Sequence, residues 1–181
     1  MTLEEFAQAD GQSGHVYELA GGEVVVVEIP GLPHGLVVDA LQRQVQAYRV
    51  AHPGLVYYVA SGSDCALRLP AMQSERHPDL SLYLTPPPDP IDPWDAWVPD
   101  IAIEVVSAGQ ERRDYEEKRR EYLAAGVREY WIVDPAARSV LVLDRRGDEW
   151  AERRLGAADR YRTGRLPGFE LDVAALFAAL G

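Results

Sequence analysis

Hydrophobic residues recur along this chain with two different periods. Around residue 80, Leu80, Leu82 and Leu84 alternate with Asp79, Ser81 and Tyr83. Around residue 103, Ile101, Ile103 and Val105 stand opposite Asp100, Ala102, Glu104 and Val106. Alternation with period two predicts a strand at each place. Residues 36–51 follow the other period, with Val37, Leu41, Val45 and Tyr48 at helical spacing, so a helix is predicted there until Pro53-Gly54 stops it.

The remaining segments fill in around these. Thr2 followed by Glu5 predicts a capping box opening a short helix. "YELAGGEVVVVEIPG" reads as a β-hairpin turning at Gly21-Gly22, and "LVYYVA" and "DCALRLP" read as short strands. "TPPPDPIDPWDAWVP" is predicted to be a semi-rigid surface loop, because its prolines lack amide donors. A charged helix is predicted around 114–125, ending at Gly126, with Asp114 and Glu117 reading as its N-terminal capping pair unless it begins earlier. "REYWIVD", "SVLVLDR" and "EWAERRL" predict three more strands, and "LPGFELDVAALFAAL" a turn and a closing apolar helix. This order of elements predicts one α/β (α+β mixed) domain over residues 1–181, with a core at about 17–178 and a mixed sheet.

Composition narrows the function. A net charge of -11 argues against a broad phosphate-binding surface, which relies on basic residues, although a local basic groove remains compatible with it. The single Cys65 excludes an intramolecular disulfide and a cysteine-rich zinc site, and reads as a small half-buried hydrophobe. No apolar run is long enough to cross a membrane, and the acidic start lacks a signal peptide's basic and apolar regions, so a cytoplasmic protein is expected. Trp94 and Trp97 in the proline loop offer an apolar contact patch for a homodimer, unless they cover the protein's own sheet.

Three charged residues suggest chemistry. If the two alternating strands pair antiparallel, the start of the first lies beside the end of the second, which brings Asp79 near Glu104 on their polar faces. Asp100 sits four residues before Glu104, roughly 13 Å away along a strand. Two converging carboxylates suit a hard cation such as Mg²⁺, which takes one or two carboxylates and keeps water; alternatively each is solvated or paired with an arginine. Lys118 is the only lysine among the 18 basic residues. It shares a helix face with Tyr115, Tyr122 and Ala125, and a helix packed back on the sheet aims its amine at the carboxylates. The alternative is an exposed pair with Asp114 or Glu121. An amine is a compact point charge that an arginine does not replace.

These residues lie within "VPDIAIEVVSAGQERRDYEEKRREYLAAGVREYWIVDPAARSVLVL". The stretch resembles a large bacterial family of restriction-endonuclease-like proteins that combine P-D, E-V, D-x-x-x-K and G-V-x-E-Y-W-x-V-D-P. "YELAGGEVV", His34-Gly35 and "LPGFELDVAALF" resemble its opening and close. The resemblance implies the restriction-endonuclease-like fold of the PD-(D/E)xK superfamily: a central mixed sheet flanked by helices, with a divalent-metal site for phosphodiester hydrolysis. Asp79 matches the superfamily aspartate and Glu104 its second acid. Val106 stands where the lysine is expected, and the resemblance places that role on Lys118 in the following helix. Val105 would add its backbone carbonyl to the metal. His34 and Asp100 are candidate accessory positions, and the preferred reading of His34 is a capping or structural histidine. Tyr130, Trp131 and Asp134 read as core and turn residues. The family's S-P-S-T loop is here Ser107-Ala108-Gly109-Gln110.

The expectation is therefore a Mg²⁺- or Mn²⁺-dependent endonuclease acting on DNA. The rival expectation is a catalytically silent module that keeps the fold to bind a protein or nucleic-acid partner.

Overall fold

The structure is a computed structural model that describes residues 1–12, 15–27, 30–89 and 91–181. Thr2 and Glu5 each accept the other's amide and open α1 (Leu3–Gln8). β1 (Val16–Ala20) and β2 (Glu23–Val27) form the predicted hairpin, and Gly21 and Gly22 turn it with φ of 58° and 87°, values glycine adopts without steric cost. The end of the predicted hairpin stretch at 28–29, and Pro90 in the proline loop, lie outside the described residues. α2 (Leu32–Ala51) begins four residues before the predicted Leu36, because Pro33 is tolerated in a first helical turn.

Short strands β3 (Tyr58–Ala60), β4 (Leu67–Leu69), β5 (Ser74–Arg76) and β6 (Leu80–Tyr83) follow. β7 (Ile101–Val105) leads through a π-helical turn (Arg113–Glu117) into α3 (Lys118–Ala125), which Gly126 ends at φ 94°. β8 (Glu129–Asp134), β9 (Ser139–Arg146) and β10 (Glu149–Gly156) form a meander, and β11 (Arg160–Tyr161), β12 (Leu171–Asp172) and α4 (Val173–Ala178) close the chain.

The central sheet runs β10-β9-β8-β7-β6-β3, and the hairpin joins a second sheet ordered β2-β1-β5-β4. In the central sheet β7 and β8 are parallel and the other pairs antiparallel. A parallel pair needs a crossover, and α3 supplies it. The fold is the predicted mixed α/β one, a central mixed sheet flanked by helices. The period-two residues divide as their alternation requires: Ile101, Ile103 and Val105 pack with Val37, Leu41 and Val45 of α2, while Ala102 and Val106 pack with Tyr122 of α3 and Tyr130.

Several local expectations need correcting. Asp114 does not cap a helix. Helical structure begins at residues 111–112, and Asp114 is a buried partner of Lys118 inside it. β5 carried no sequence signal: it is three residues long, and serine, glutamate and arginine are all buried in it. Cys65 is fully rather than half buried. Trp97 covers the protein's own sheet, its ring 4.0 Å from that of Tyr83 and stacked on Tyr58 and Trp94, which removes it from any contact patch.

Candidate active site

The register of β6 on β7 pairs Leu80 with Ile103, and the next step along both strands sets Asp79 beside Glu104. The Val105 amide donates to Asp79 Oδ2 at 2.7 Å, and His34 Nε2, in the first turns of α2, lies 3.0 Å from the same oxygen. A carboxylate only accepts, so that imidazole nitrogen carries the proton. Both hydrogen bonds made to Asp79 by the described residues fall on Oδ2, and Oδ1 keeps its lone pairs.

The π-helical turn determines what α3 presents to these carboxylates. The Lys118 amide donates to the Arg113 carbonyl, five residues back rather than four. Lys118 Nζ then lies 2.8 Å from Glu104 Oε2 and 3.1 Å from Asp114 Oδ1, and its side chain is 7% exposed. The exposed pair that sequence alone also allowed is therefore absent. Tyr122, one turn further on, donates its hydroxyl to Glu104 Oε1.

Burial dominates the electrostatics here. It pushes the Glu104 carboxyl up to about 8, against the attraction of Lys118 and with the repulsion of Asp79, Asp114 and Glu18 added. Burial also raises Asp114, again against Lys118. Burial on its own would lower Lys118, but the carboxylates of Glu104, Asp114 and Glu18 outweigh it and the ammonium holds its proton more firmly than usual.

A second charged layer lies behind the first. Arg76 on β5 donates from Nε and Nη2 to both oxygens of Glu121 at 2.7 and 3.1 Å, and from Nη1 to Glu18 at 3.0 Å. Glu18 on β1 also accepts from Arg113 and from the His77 amide. Burial would raise Glu18, yet Lys118, Arg113 and Arg76 together hold it at about 2. Sequence reasoning missed Glu18, Arg76, Glu121 and Arg113. The one available signal was Glu18 interrupting the apolar run of a predicted strand.

Glu18, His34, Asp79, Glu104, Lys118 and Val105 all line one cavity of about 680 Å³, into which Arg113 and Asp114 also face. Asp100 stands apart at the opposite end of β7, where it accepts from the Leu84 amide and pairs with Arg128 at 2.9 Å. Val106 is 7% exposed and packs in the core beneath α3, where it also borders the cavity. Tyr130 and Trp131 are fully buried, and Asp134 receives the Tyr115 hydroxyl.

A sequence model of the Uma2 family, described as "Putative restriction endonuclease", matches residues 3–174. The chain belongs to the Uma2 family. Among solved structures, it is similar to one from Anabaena variabilis ATCC 29413, described as "a putative nuclease belonging to DUF820". The TM-score is 0.77 over 99% of each chain, at 16% identity, so this likeness speaks for the fold. No curated protein matches the chain. In this Uma2 protein Asp79 of His77-Pro78-Asp79 and the E-V and D-x-x-x-K elements line one cavity, whereas Asp100 of Pro99-Asp100 lies outside it. No helix among the described residues is long and apolar enough to cross a membrane.

Proposed function

We propose that this Uma2 protein is a divalent-metal-dependent endonuclease that hydrolyses phosphodiester bonds in DNA. The observation that carries the reading is the meeting of Asp79, Glu104 and Lys118 in one cavity from β6, β7 and α3.

The donor set fits a hard cation that keeps much of its water. Among the described residues no three His, Cys, Asp or Glu side chains form a ready ligand cluster, which argues against a fully protein-coordinated ion. Mg²⁺ and Mn²⁺ need fewer protein ligands, and Mg²⁺ is commonly held by one or two carboxylates. Asp79 Oδ1 has no protein partner among the described residues, and Glu104 keeps lone pairs beyond those used by Tyr122 and Lys118. Asp79, Glu104 and the Val105 carbonyl would hold the ion. When bound, it would supply positive charge that polarises a phosphate and offsets the burial and the neighbouring carboxylates that push Glu104 up.

The residues themselves have separate tasks in this reading. His34 and the Val105 amide hold the Asp79 carboxylate in one orientation. Lys118 keeps its proton, so it acts as a hydrogen-bond donor that orients the attacking water and stabilises charge developing on phosphorus, not as a base. Asp114 and Glu104 fix the ammonium in place.

Plasmid cleavage in Mn²⁺ tests the reading. Wild type is expected to nick or linearise the plasmid, and Lys118→Ala to fall to background. Equal background from both would remove catalysis by this constellation and favour the silent binding module.

A further inference from the structure

Arg113 carries a feature that its ion pair with Glu18 leaves unexplained. It lines the cavity with a side chain 15% exposed, yet among the described residues its guanidinium makes one hydrogen bond, from Nη2 to Glu18, and its buried Nε finds no acceptor there. A guanidinium has five N–H donors. Arg76, the other arginine on Glu18, is 1% exposed and uses Nε, Nη1 and Nη2 on two carboxylates. Glu18 therefore has a deeper counter-ion already, and Arg113, which lines the cavity, keeps donors that no described residue accepts.

The backbone explains how Arg113 arrives there. At about 100° per residue, an α-helix would set positions 113 and 118 about 140° apart. The i→i+5 bond of the π-helical turn brings them close to alignment, so Arg113 and Lys118 face the same cavity. A one-turn π-bulge of this kind costs regular hydrogen bonding and tends to occur where function needs a side chain redirected.

A phosphate approaching Asp79 and Glu104 must also pass a strongly acidic wall that includes Glu18, Glu111 and Asp114. Lys118 spends two of its three donors on Glu104 and Asp114, which leaves one for the attacking water. Arg138, also at the cavity, likewise spends one donor, on the Gly181 carbonyl at 2.6 Å, but it sits in the exposed turn after β8 and not on the turn that carries Asp114 and leads into Lys118. A planar fork suits phosphate oxygens, and Arg113 is the fork carried on that turn.

We propose that Arg113 is the phosphate-binding residue of the cavity, gripping a non-bridging oxygen of a nucleic-acid strand next to the Asp79–Glu104–Lys118 centre. The proposal rests on the nuclease reading for the identity of the ligand, but its test needs no cleavage. The probe is a fluorescein-labelled dT 12-mer, titrated by anisotropy in EDTA at several salt concentrations. Arg113→Gln is expected to weaken binding about tenfold and to reduce the salt slope by about one. Arg113→Lys retains a cation for Glu18 and is expected to lose several-fold, while Arg112→Gln, at an exposed neighbouring position, stays within twofold. Should Arg113→Gln fail to fold, the wild-type ¹⁵N spectrum decides: one arginine Nε signal, missing in Arg113→Lys, shifts saturably as the 12-mer is added. Unchanged affinity and salt slope in Arg113→Gln, an Nε signal that stays still at saturation, or no binding by wild type would each overturn the proposal. Arg113-dependent binding without Mn²⁺ cleavage would keep this residue's role and sink the nuclease chemistry; cleavage with Arg113-independent binding would do the reverse.

Discussion

Arg76→Met removes a cation that is 1% exposed from between Glu18 and Glu121, whose side chains are 3% and 4% exposed. Three charge-assisted hydrogen bonds disappear with it, at 2.7, 3.0 and 3.1 Å. Glu121 loses both bonds from the guanidinium, whereas Glu18 keeps Arg113 and the His77 amide. Breaking a buried ion pair by removing one partner costs about 3–5 kcal/mol, because the remaining charge is stranded away from water. For a domain of this size each kcal/mol lowers Tm by about 2–4 °C, so a fall of roughly 6–20 °C is expected. Urea unfolding at pH 7 measures it, with the m-value unchanged. A second substitution gives the sharper check: Arg76→Met with Glu121→Leu removes the stranded carboxylate and is expected to recover about half of the loss.

The contribution of Glu18 to the pH dependence has a definite sign. Glu18 is held at about 2 instead of 4.5, so it contributes stability above pH 4.5 that is lost as pH falls towards 2. The difference of 4.5 minus 2 amounts to about 3 kcal/mol in wild type. Arg76→Met is expected to show a shallower acid limb, since Lys118 and Arg113 remain to lower Glu18 but Arg76 does not. An Arg76→Met protein within about 1 kcal/mol of wild type at pH 7, with the same acid limb, would refute the view that this network holds β1, β5 and α3 together.

Lys118→Arg keeps the charge but loses the compact ammonium between Glu104 and Asp114, and plasmid cleavage is expected to fall by about 100-fold, as removal of one well-aimed donor does. His34→Ala leaves Asp79 oriented by the Val105 amide alone, and calorimetric Mn²⁺ affinity is expected to drop about 10- to 100-fold. Gly126→Ala forces a Cβ into φ 94° and is expected to cost about 1–2 kcal/mol in urea unfolding without changing activity per folded molecule. Trp97→Ala empties the aromatic cluster on Tyr58 and Tyr83 and is expected to cost about 3–5 kcal/mol by the same measurement.

Much of the fold was legible because its causes act within a few residues. The capping box at Thr2, the positive-φ glycines at 21, 22 and 126, and the alternation of residues 101–106 each follow from local dihedrals, amides and side-chain direction. The same alternation placed Asp79 and Glu104 on matching faces, and the antiparallel register then brought them together. What sequence left hidden depends on partners far along the chain. Arg76 meets Glu121 across 45 residues and Glu18 across 58, and Arg113 reaches Glu18 across 95. In sequence such residues look like ordinary solvated charges, and a three-residue strand such as β5 shows no period at all. The π-helical turn was equally invisible, since residues 114–125 read as a regular charged helix. Sequence alone determined which side chains share a strand face. Tertiary structure decided which charges leave water, because a charge can be buried only where distant partners converge to replace its hydration.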